Sequence, residues 1–451
     1  MVRSSDVMID EITSLMQEMI RNRCVNPPGN EMRSVHTIER FLSSYGVETE
    51  VFESVPDRGN LLAVLKGSGE RPSLMLGPSH VDVVPVENEN EWSVPPFEGR
   101  IQGGCIWGRG AIDMLYIVAA QTAVFAHLYS EGFKPKGDLK LLVVSDEEIG
   151  GELGANWMVQ NHPEKVKVDY LVTEAGGEPI GPKKLSYIYG EKGTAWTRMR
   201  FKGEERHGSA PFKSNNAVVT MANAIKRING YQPPRDTTIT KPLLKALGVG
   251  WFTRTLMNQP LLLGFMLNQL AKKNQGDASF IHSLSQMTWS PNVCRGGAKT
   301  NTIAGTASLD IDVRVLPGQD EDYVREHFRK ALGPLGQSVE IDSMEPDEGG
   351  TFTPGTLSDV NSPLVELMGS VIKELRGPEF TLVPMISPGA TDCRFFRSAW
   401  NTQAYGFAIH DGSMELATLY SLFHGTDERV PIGTVELTAK GYMELARRFL
   451  S

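Results

Sequence analysis

The sequence predicts an α/β protein with a mostly parallel central sheet, interrupted by a smaller α+β domain. Three observations carry this expectation. Leu139–Val144 and Tyr170–Thr173 are short, nearly continuous apolar runs, the pattern of strands buried on both faces. Ile117–Tyr129 reads as a helix between such strands, and its Ala119, Ala120, Ala123 and Ala126 permit close packing. Near Gly190 the pattern changes to alternation, in Thr194–Phe201 and again in Thr306–Val315, as in strands with one open face.

Taken in order, the chain opens with Met8, Ile12, Leu15, Met16 and Met19 at helical spacing, separated by acidic residues. This is an amphipathic helix and not the apolar core of a secretory signal. Leu61–Leu65 and Ser73–Leu76 read as strands. Beyond Gly190, Asn216–Ile228 and Asp320–Leu332 read as helices and Ser338–Ile341 as a strand. The α/β pattern returns after about Gly350, so the small domain is expected at 194–345, inserted between 1–193 and 346–451. Residues 231–300 fit less well. Leu243–Leu270 is apolar, with two readings: a buried helical pair, or a flexible apolar wall for a greasy substrate, rich in methionine.

Composition narrows the function classes. The 451 residues carry 45 basic and 54 acidic side chains, a net charge of −9, which makes nucleic acid and membrane surfaces poor partners. The 40% hydrophobic and 22% charged fractions are those of a globular chain and not of a disordered one. Cys24, Cys105, Cys294 and Cys393 form no CxxC pair and no disulfide-scaffold spacing, which points to a reducing compartment. The most apolar run, Pro260–Leu267, is too short to span a bilayer. The expectation is a soluble, cytoplasmic protein.

Five short segments carry candidate chemistry. Ser79-His80-Val81-Asp82 follows a strand, and a histidine two residues before an aspartate suits a metal ligand oriented by a carboxylate. In Gly108–Met114, Asp113 sits where a glycine turn feeds a helix. Ser145–Gly151 places Asp146, Glu147 and Glu148 at the end of a buried strand, where clustered carboxylates are costly unless a cation neutralises them. Glu174 again follows a strand, and His424 lies in Phe423–Glu428. Singly, each also reads as a surface histidine, a helix-start carboxylate or a solvated acidic loop. Together, two histidines and several carboxylates without a thiolate suit zinc, cobalt or manganese. The first four segments fall at strand ends, where ligands gather in α/β sheets.

The set resembles the acetylornithine deacetylase, succinyl-diaminopimelate desuccinylase, aminoacylase and glutamate carboxypeptidase family of dinuclear zinc metallopeptidases. The matching stretches are NPPGNE (26–31), SHVDVVP (79–85), WSVPPFEGRIQGGCIWGRGAIDM (92–114), SDEEIGG (145–151), HGSAP (207–211), NTIAG (301–305), DVRVLPG (312–318), PGATD (388–392) and HGTDE (424–428). They run in order over nearly the whole chain outside 231–300. The resemblance implies a zinc-exopeptidase-like catalytic domain and a ferredoxin-like lid and dimerisation domain, with two zinc ions per subunit that cobalt or manganese could replace. It implies Asp113 as the bridging ligand, with His80 and Glu174 on one metal and Glu148 and His424 on the other. Asp82 would hold the ring of His80, and Glu147 would be the general base. His207 would reach the partner's site in a homodimer and stabilise the oxyanion, while Asn301, Arg314 and Gly389 would bind substrate.

The sequence departs from the family in places. Relatives often have lysine then glycine after the bridging aspartate, whereas here Met114, Leu115 and Tyr116 follow, and altered packing with the metal kept is expected. Glu174 stands where many relatives have aspartate; those acting on N-acyl amino acids often have glutamate. His410 competes with His424 for the ligand role, and the HGTDE context favours His424. The implied reaction is hydrolysis of the amide bond of an N-acyl amino acid or peptide-like substrate with a free carboxylate. Dipeptidase or carboxypeptidase activity, an unusual aromatic or xenobiotic substrate, and a non-catalytic binding protein are the alternatives.

Overall fold

A computed structural model describes residues 5–257, 259–344 and 352–451. The chain divides into two compact units, residues 1–189, 358–385 and 391–451, and residues 190–357 and 386–390. The first boundary thus falls at 189/190, against 193/194 expected from sequence. The expected return at 345/346 lies outside the described residues. The short Ile386–Ala390 segment belongs to the second unit, which a reading of contiguous blocks could not show.

The first unit is built on a mixed sheet. In spatial order its strands are Thr49–Val55, Arg58–Leu65, Leu139–Val144, Leu74–His80, Tyr170–Thr173, Gln403–Gly406 and Lys184–Glu191. Leu139–Val144, Leu74–His80, Tyr170–Thr173 and Gln403–Gly406 are mutually parallel, and the flanking pairs are antiparallel. The central strands Leu74–His80 and Leu139–Val144 are buried along their whole length, which is why they read as unbroken apolar runs. Helix Tyr116–Ser130 is buried nearly all round, between the sheet and the helices Ser5–Asn22 and Ile432–Phe449. Ala111–Ser130 has the length and hydropathy to cross a membrane, but almost all of it is interior, as in a core helix. Met8, Ile12, Leu15, Met16 and Met19 all face that core.

The second unit runs strand, helix, strand, strand, helix, strand. Its strands Thr197–Lys202, Thr288–Gly296, Thr306–Val315 and Val339–Ser343 pair antiparallel, with Thr306–Val315 and Thr197–Lys202 in the middle. With helices Ala217–Gly230 and Glu321–Leu332 this is the ferredoxin-like order. Both helices cover one face through Met221, Ala224, Ile228, Val324 and Phe328, which meet Met199, Phe201, Leu309, Ile311 and Val313. Asp320 caps the second helix, its carboxylate accepting from the Tyr323 amide at 2.8 Å.

Residues 231–300 depart from the buried helical pair. They form four short helices, Thr240–Ala246, Trp251–Met257, Pro260–Ala271 and Gln275–Ser283, followed by the strand Thr288–Gly296. Their core is small: Leu244, Met257, Leu263 and Leu267 are buried together. Trp251, Phe252, Leu261 and Phe265 are exposed. The strand escaped the sequence reading because Pro291 breaks its pattern at a bulge, and because it lies at an edge where a missing donor is tolerated.

Candidate active site

Three parallel strands end on the same edge of the first unit's sheet, and each delivers a candidate residue. His80 is the last residue of Leu74–His80, Glu147 and Glu148 follow Leu139–Val144, and Glu174 follows Tyr170–Thr173. Asp113 lies in the short helical turn Ala111–Leu115, where its own φ of −124° and ψ of 96° are not helical. His424 follows the helix Leu416–Leu422. Asp146, Ala175 and His424 all hold positive φ, at 76°, 61° and 56°. Such backbone is costly for residues other than glycine and concentrates where side chains must be aimed.

These residues form two clusters around one carboxylate. Asp113 Oδ1 lies 3.3 Å from His80 Nε2, and Asp113 Oδ2 lies 3.2 Å from His424 Nε2. Glu174 completes the first side, 3.6 Å from His80 Nε2, and Glu148 the second, 3.2 Å from His424 Nε2. Glu147 falls in the cluster of His80 and Glu174, whereas its neighbour Glu148 falls in that of Asp113 and His424. The two adjacent glutamates therefore serve different sides. His80 Nε2 and Glu148 Oε1 are buried without a hydrogen-bond partner among the described residues. Orphaned buried ligand atoms amid converging carboxylates fit divalent cations, and the N/O donor set suits zinc-like metals.

The electrostatics show the same demand for positive charge. Burial pushes the Glu147 carboxyl well above its usual range, and the charge of Glu174 adds to the shift. Burial also raises Glu148, against the pull of His424. Asp113 is buried too, but the facing imidazoles of His424 and His80 hold it below the carboxylate range. Contacts with Asp113 and Glu148 push His424 up to about 10. Burial opposes charge on His80, yet Asp113, Asp82 and Glu174 raise its pKa well above the usual histidine value.

Asp82 organises more than the His80 ring. His80 Nδ1 meets the Asp82 backbone carbonyl at 3.0 Å, while the carboxylate stands at 3.5 Å. That fully buried carboxylate accepts from the amides of Glu147 (3.2 Å) and Glu148 (3.1 Å) and from Asn26 Nδ2 (2.8 Å). One side chain thus fixes the histidine loop and the glutamate turn together. Arg58 supports the same turn: it donates to Glu31 at 2.7 and 2.9 Å and pairs with Asp146.

A second buried pair ties the Asp113 turn to the His424 loop. Glu428 accepts from Arg109 at 2.7 Å and from the amides of Gly110, Ile112 and Asp113. Arg109 in turn donates to the carbonyls of Gly425 and His424, each at 3.1 Å. Burial pushes Glu428 up to about 7, with Arg109 opposing. Arg109 and Glu428 both stand in the matched motifs, yet sequence alone assigned them no task. Asp392, the last residue of PGATD, likewise carries no separate signal in the sequence. It is buried, and its carboxylate has no hydrogen-bond partner among the described residues. Gly151 leaves it room, since a Cβ there would lie 2.2 Å from Asp392 Oδ1.

His410 belongs to neither cluster; it is buried against Tyr116, and burial lowers its pKa to about 4. The departures after Asp113 are absorbed by packing. Met114, Leu115 and Tyr116 are buried, and the His80 amide points at Met114 Sδ, 3.3 Å away.

The remaining candidates lie in the second unit. His207 pairs with Thr302 across a two-residue ladder, and the Gly208 amide donates to the Asn301 carbonyl at 2.7 Å, so His207 and Asn301 are neighbours. Both the imidazole of His207 and the loop of Phe212 that follows are exposed. Arg314 Nε donates to Asp312 at 2.7 Å. The Gly389 amide donates to Ser387 Oγ at 3.1 Å.

A parallel-strand edge carrying two histidine–carboxylate clusters joined through one aspartate defines a metal-dependent hydrolase. The family model described as Peptidase family M20/M25/M40 matches residues 78–448, and the chain belongs to this family. It is similar to a probable succinyl-diaminopimelate desuccinylase of Staphylococcus aureus, at 24% identity over 81% of this chain and 83% of that one. It is 26% identical to aminoacylase-1 of Sus scrofa over 92% of this chain and 90% of that one. Among solved structures, an M20 family metallo-carboxypeptidase from Sulfolobus solfataricus superposes with a TM-score of 0.73 at 19% identity. That match covers 98% of this chain and 99% of the other.

Proposed function

We propose that this metallohydrolase cleaves the amide bond of an N-acyl amino acid or peptide-like substrate that bears a free carboxylate. The observation that carries the reading is the placement of Asp113, one carboxylate oxygen toward each histidine, with Glu147 beside but apart from the Glu148 cluster. His80, Glu174, Glu148, His424 and a bridging Asp113 would hold two divalent cations, with zinc as the proposed metal and cobalt or manganese as substitutes. When bound, such a pair supplies Lewis acidity and lowers the pKa of water.

Within that frame Glu147 is the general base. It takes the proton of the attacking water and passes it to the leaving nitrogen, and the burial that raises its pKa favours holding that proton between the two steps. Asp82 keeps His80 and both glutamates in register. Arg314, oriented by Asp312, is proposed to grip the substrate carboxylate through parallel hydrogen bonds, as guanidinium groups do. Asn301 and Gly389 are proposed to contact substrate, and His207 to stabilise the oxyanion from the partner subunit of a homodimer. A cytoplasmic location is also proposed, on the cysteine spacing alone. Two relatives, one named as a probable succinyl-diaminopimelate desuccinylase and one as aminoacylase-1, support the deacylase branch.

The test is turnover of a panel by the metal-loaded enzyme: short- and long-chain N-acyl amino acids, several dipeptides and a glutamyl amide of an aromatic acid. Cleavage of acyl amino acids ahead of dipeptides supports the reading. Preference for dipeptides moves the assignment to a dipeptidase. A metal-loaded protein that cuts no member of the panel sinks the amide reading.

A further inference from the structure

Between residues 237 and 276 the chain carries five cations, Lys241, Lys245, Arg254, Lys272 and Lys273, and no aspartate or glutamate. The four lysines are exposed. The whole chain, by contrast, has a net charge of −9. The same segment exposes large apolar side chains on two helices that pack together: Trp251 at 73% and Phe252 on one, Leu261 at 88% and Phe265 at 64% on the other. The helix Pro260–Ala271 is apolar on both faces. Leu263 and Leu267, four apart, enter the small core, while Leu261 and Phe265, also four apart, face outward.

A helix that is apolar all round is stable in a protein interior or in lipid, and large exposed apolar groups of this kind mark a contact surface. Two features choose the contact. Exposed tryptophan and phenylalanine flanked only by lysine and arginine are the composition of a helix lying at a bilayer interface. A second copy meeting this face symmetrically would set cations against cations. The net negative charge does not forbid the approach, because at physiological salt charges beyond about 8 Å are largely screened and the local sign decides. With 12 residues, Pro260–Ala271 is too short to span the hydrocarbon layer, so it can only lie on it.

We propose that the Trp251–Lys273 face docks on an anionic phospholipid surface. This qualifies the expectation, drawn from net charge, that membranes are not partners. It stands apart from the substrate reading, because binding is measured without turnover.

The experiment is flotation of the full chain with vesicles of phosphatidylcholine, alone or mixed with phosphatidylglycerol. Binding is expected on the anionic vesicles and is expected to weaken with salt. Lys245→Gln/Lys272→Gln/Lys273→Gln should weaken it roughly fivefold per charge removed. Trp251→Ser/Phe265→Ser should abolish it, with an unchanged melting temperature showing that both variants fold. The proposal is overturned if anionic vesicles at low salt recover no protein, or if both variants float like the parent. It is equally overturned if light scattering shows the apolar variant turning an oligomer into a monomer while the parent ignores vesicles.

Discussion

At the scale of single residues, the site is built from buried carboxylates with specific partners. Asp82 accepts three hydrogen bonds from Glu147, Glu148 and Asn26 while its backbone carbonyl holds His80. Asp82→Ala is therefore expected to weaken metal binding about 10- to 100-fold, read by competition with a chromogenic chelator. An unchanged affinity would remove Asp82 from this role. The protonation of His424 gives a second prediction. Its pKa is raised from the usual histidine value to about 10, so the ion pairs with Asp113 and Glu148 stabilise the metal-free fold fully below about 6.5. That contribution is lost as pH rises through about 10. Metal must displace the proton, so binding at pH 7 releases protons and tightens as pH rises. Calorimetry in two buffers of different ionisation enthalpy should give different heats, and identical heats would contradict the assignment. His80, Glu148 and Glu174 were legible at this scale because they end or follow strands, while Asp113 and His424, in a helical turn and after a helix, were legible only through the matched motifs. Arg109, Glu428 and Asp392 were not, because a buried arginine–glutamate pair and a lone buried aspartate look in sequence like surface charge.

At the scale of elements, the site depends on joints between segments far apart in the chain. Arg58, on the strand Arg58–Leu65, bridges Glu31 beside the helix Met32–Ser44 and Asp146 in the turn that carries Glu147 and Glu148. Arg58→Met leaves two buried carboxylates without their counter-charge and should cost about 3–5 kcal/mol in denaturant unfolding. A loss below about 1 kcal/mol would show that the network relaxes without it. Strands such as Leu139–Val144 were legible because both faces are buried, which makes the apolar run continuous. Thr288–Gly296 was not, since an edge strand with a proline and a bulge needs no such pattern. The segment after Thr240 read either as a buried helical pair or as an apolar wall, because composition does not separate a core contact from an exposed apolar face.

At the scale of the whole molecule, the first unit draws its candidate ligands from five separate segments, and without cations those segments bring like charges together. Removing metal with a chelator should lower the melting transition of that unit. Bound metal at about 100 times its Kd adds about 2.7 kcal/mol to the folded state. Scanning calorimetry reads the shift, and an unmoved trace would mean that the clusters hold no metal. The two-unit division was legible from the change in strand pattern near Gly190. The return of Ile386–Ala390 to the second unit was not, because five residues carry no periodicity.

The two adjacent glutamates are proposed to divide the work, Glu147 moving the proton and Glu148 holding metal. The most direct test of this division is the metal content and turnover of Glu147→Gln, measured on one preparation. Metal content should equal that of the parent, and turnover should fall about 100- to 10,000-fold. Turnover like that of the parent, or loss of metal in step with activity, would contradict it.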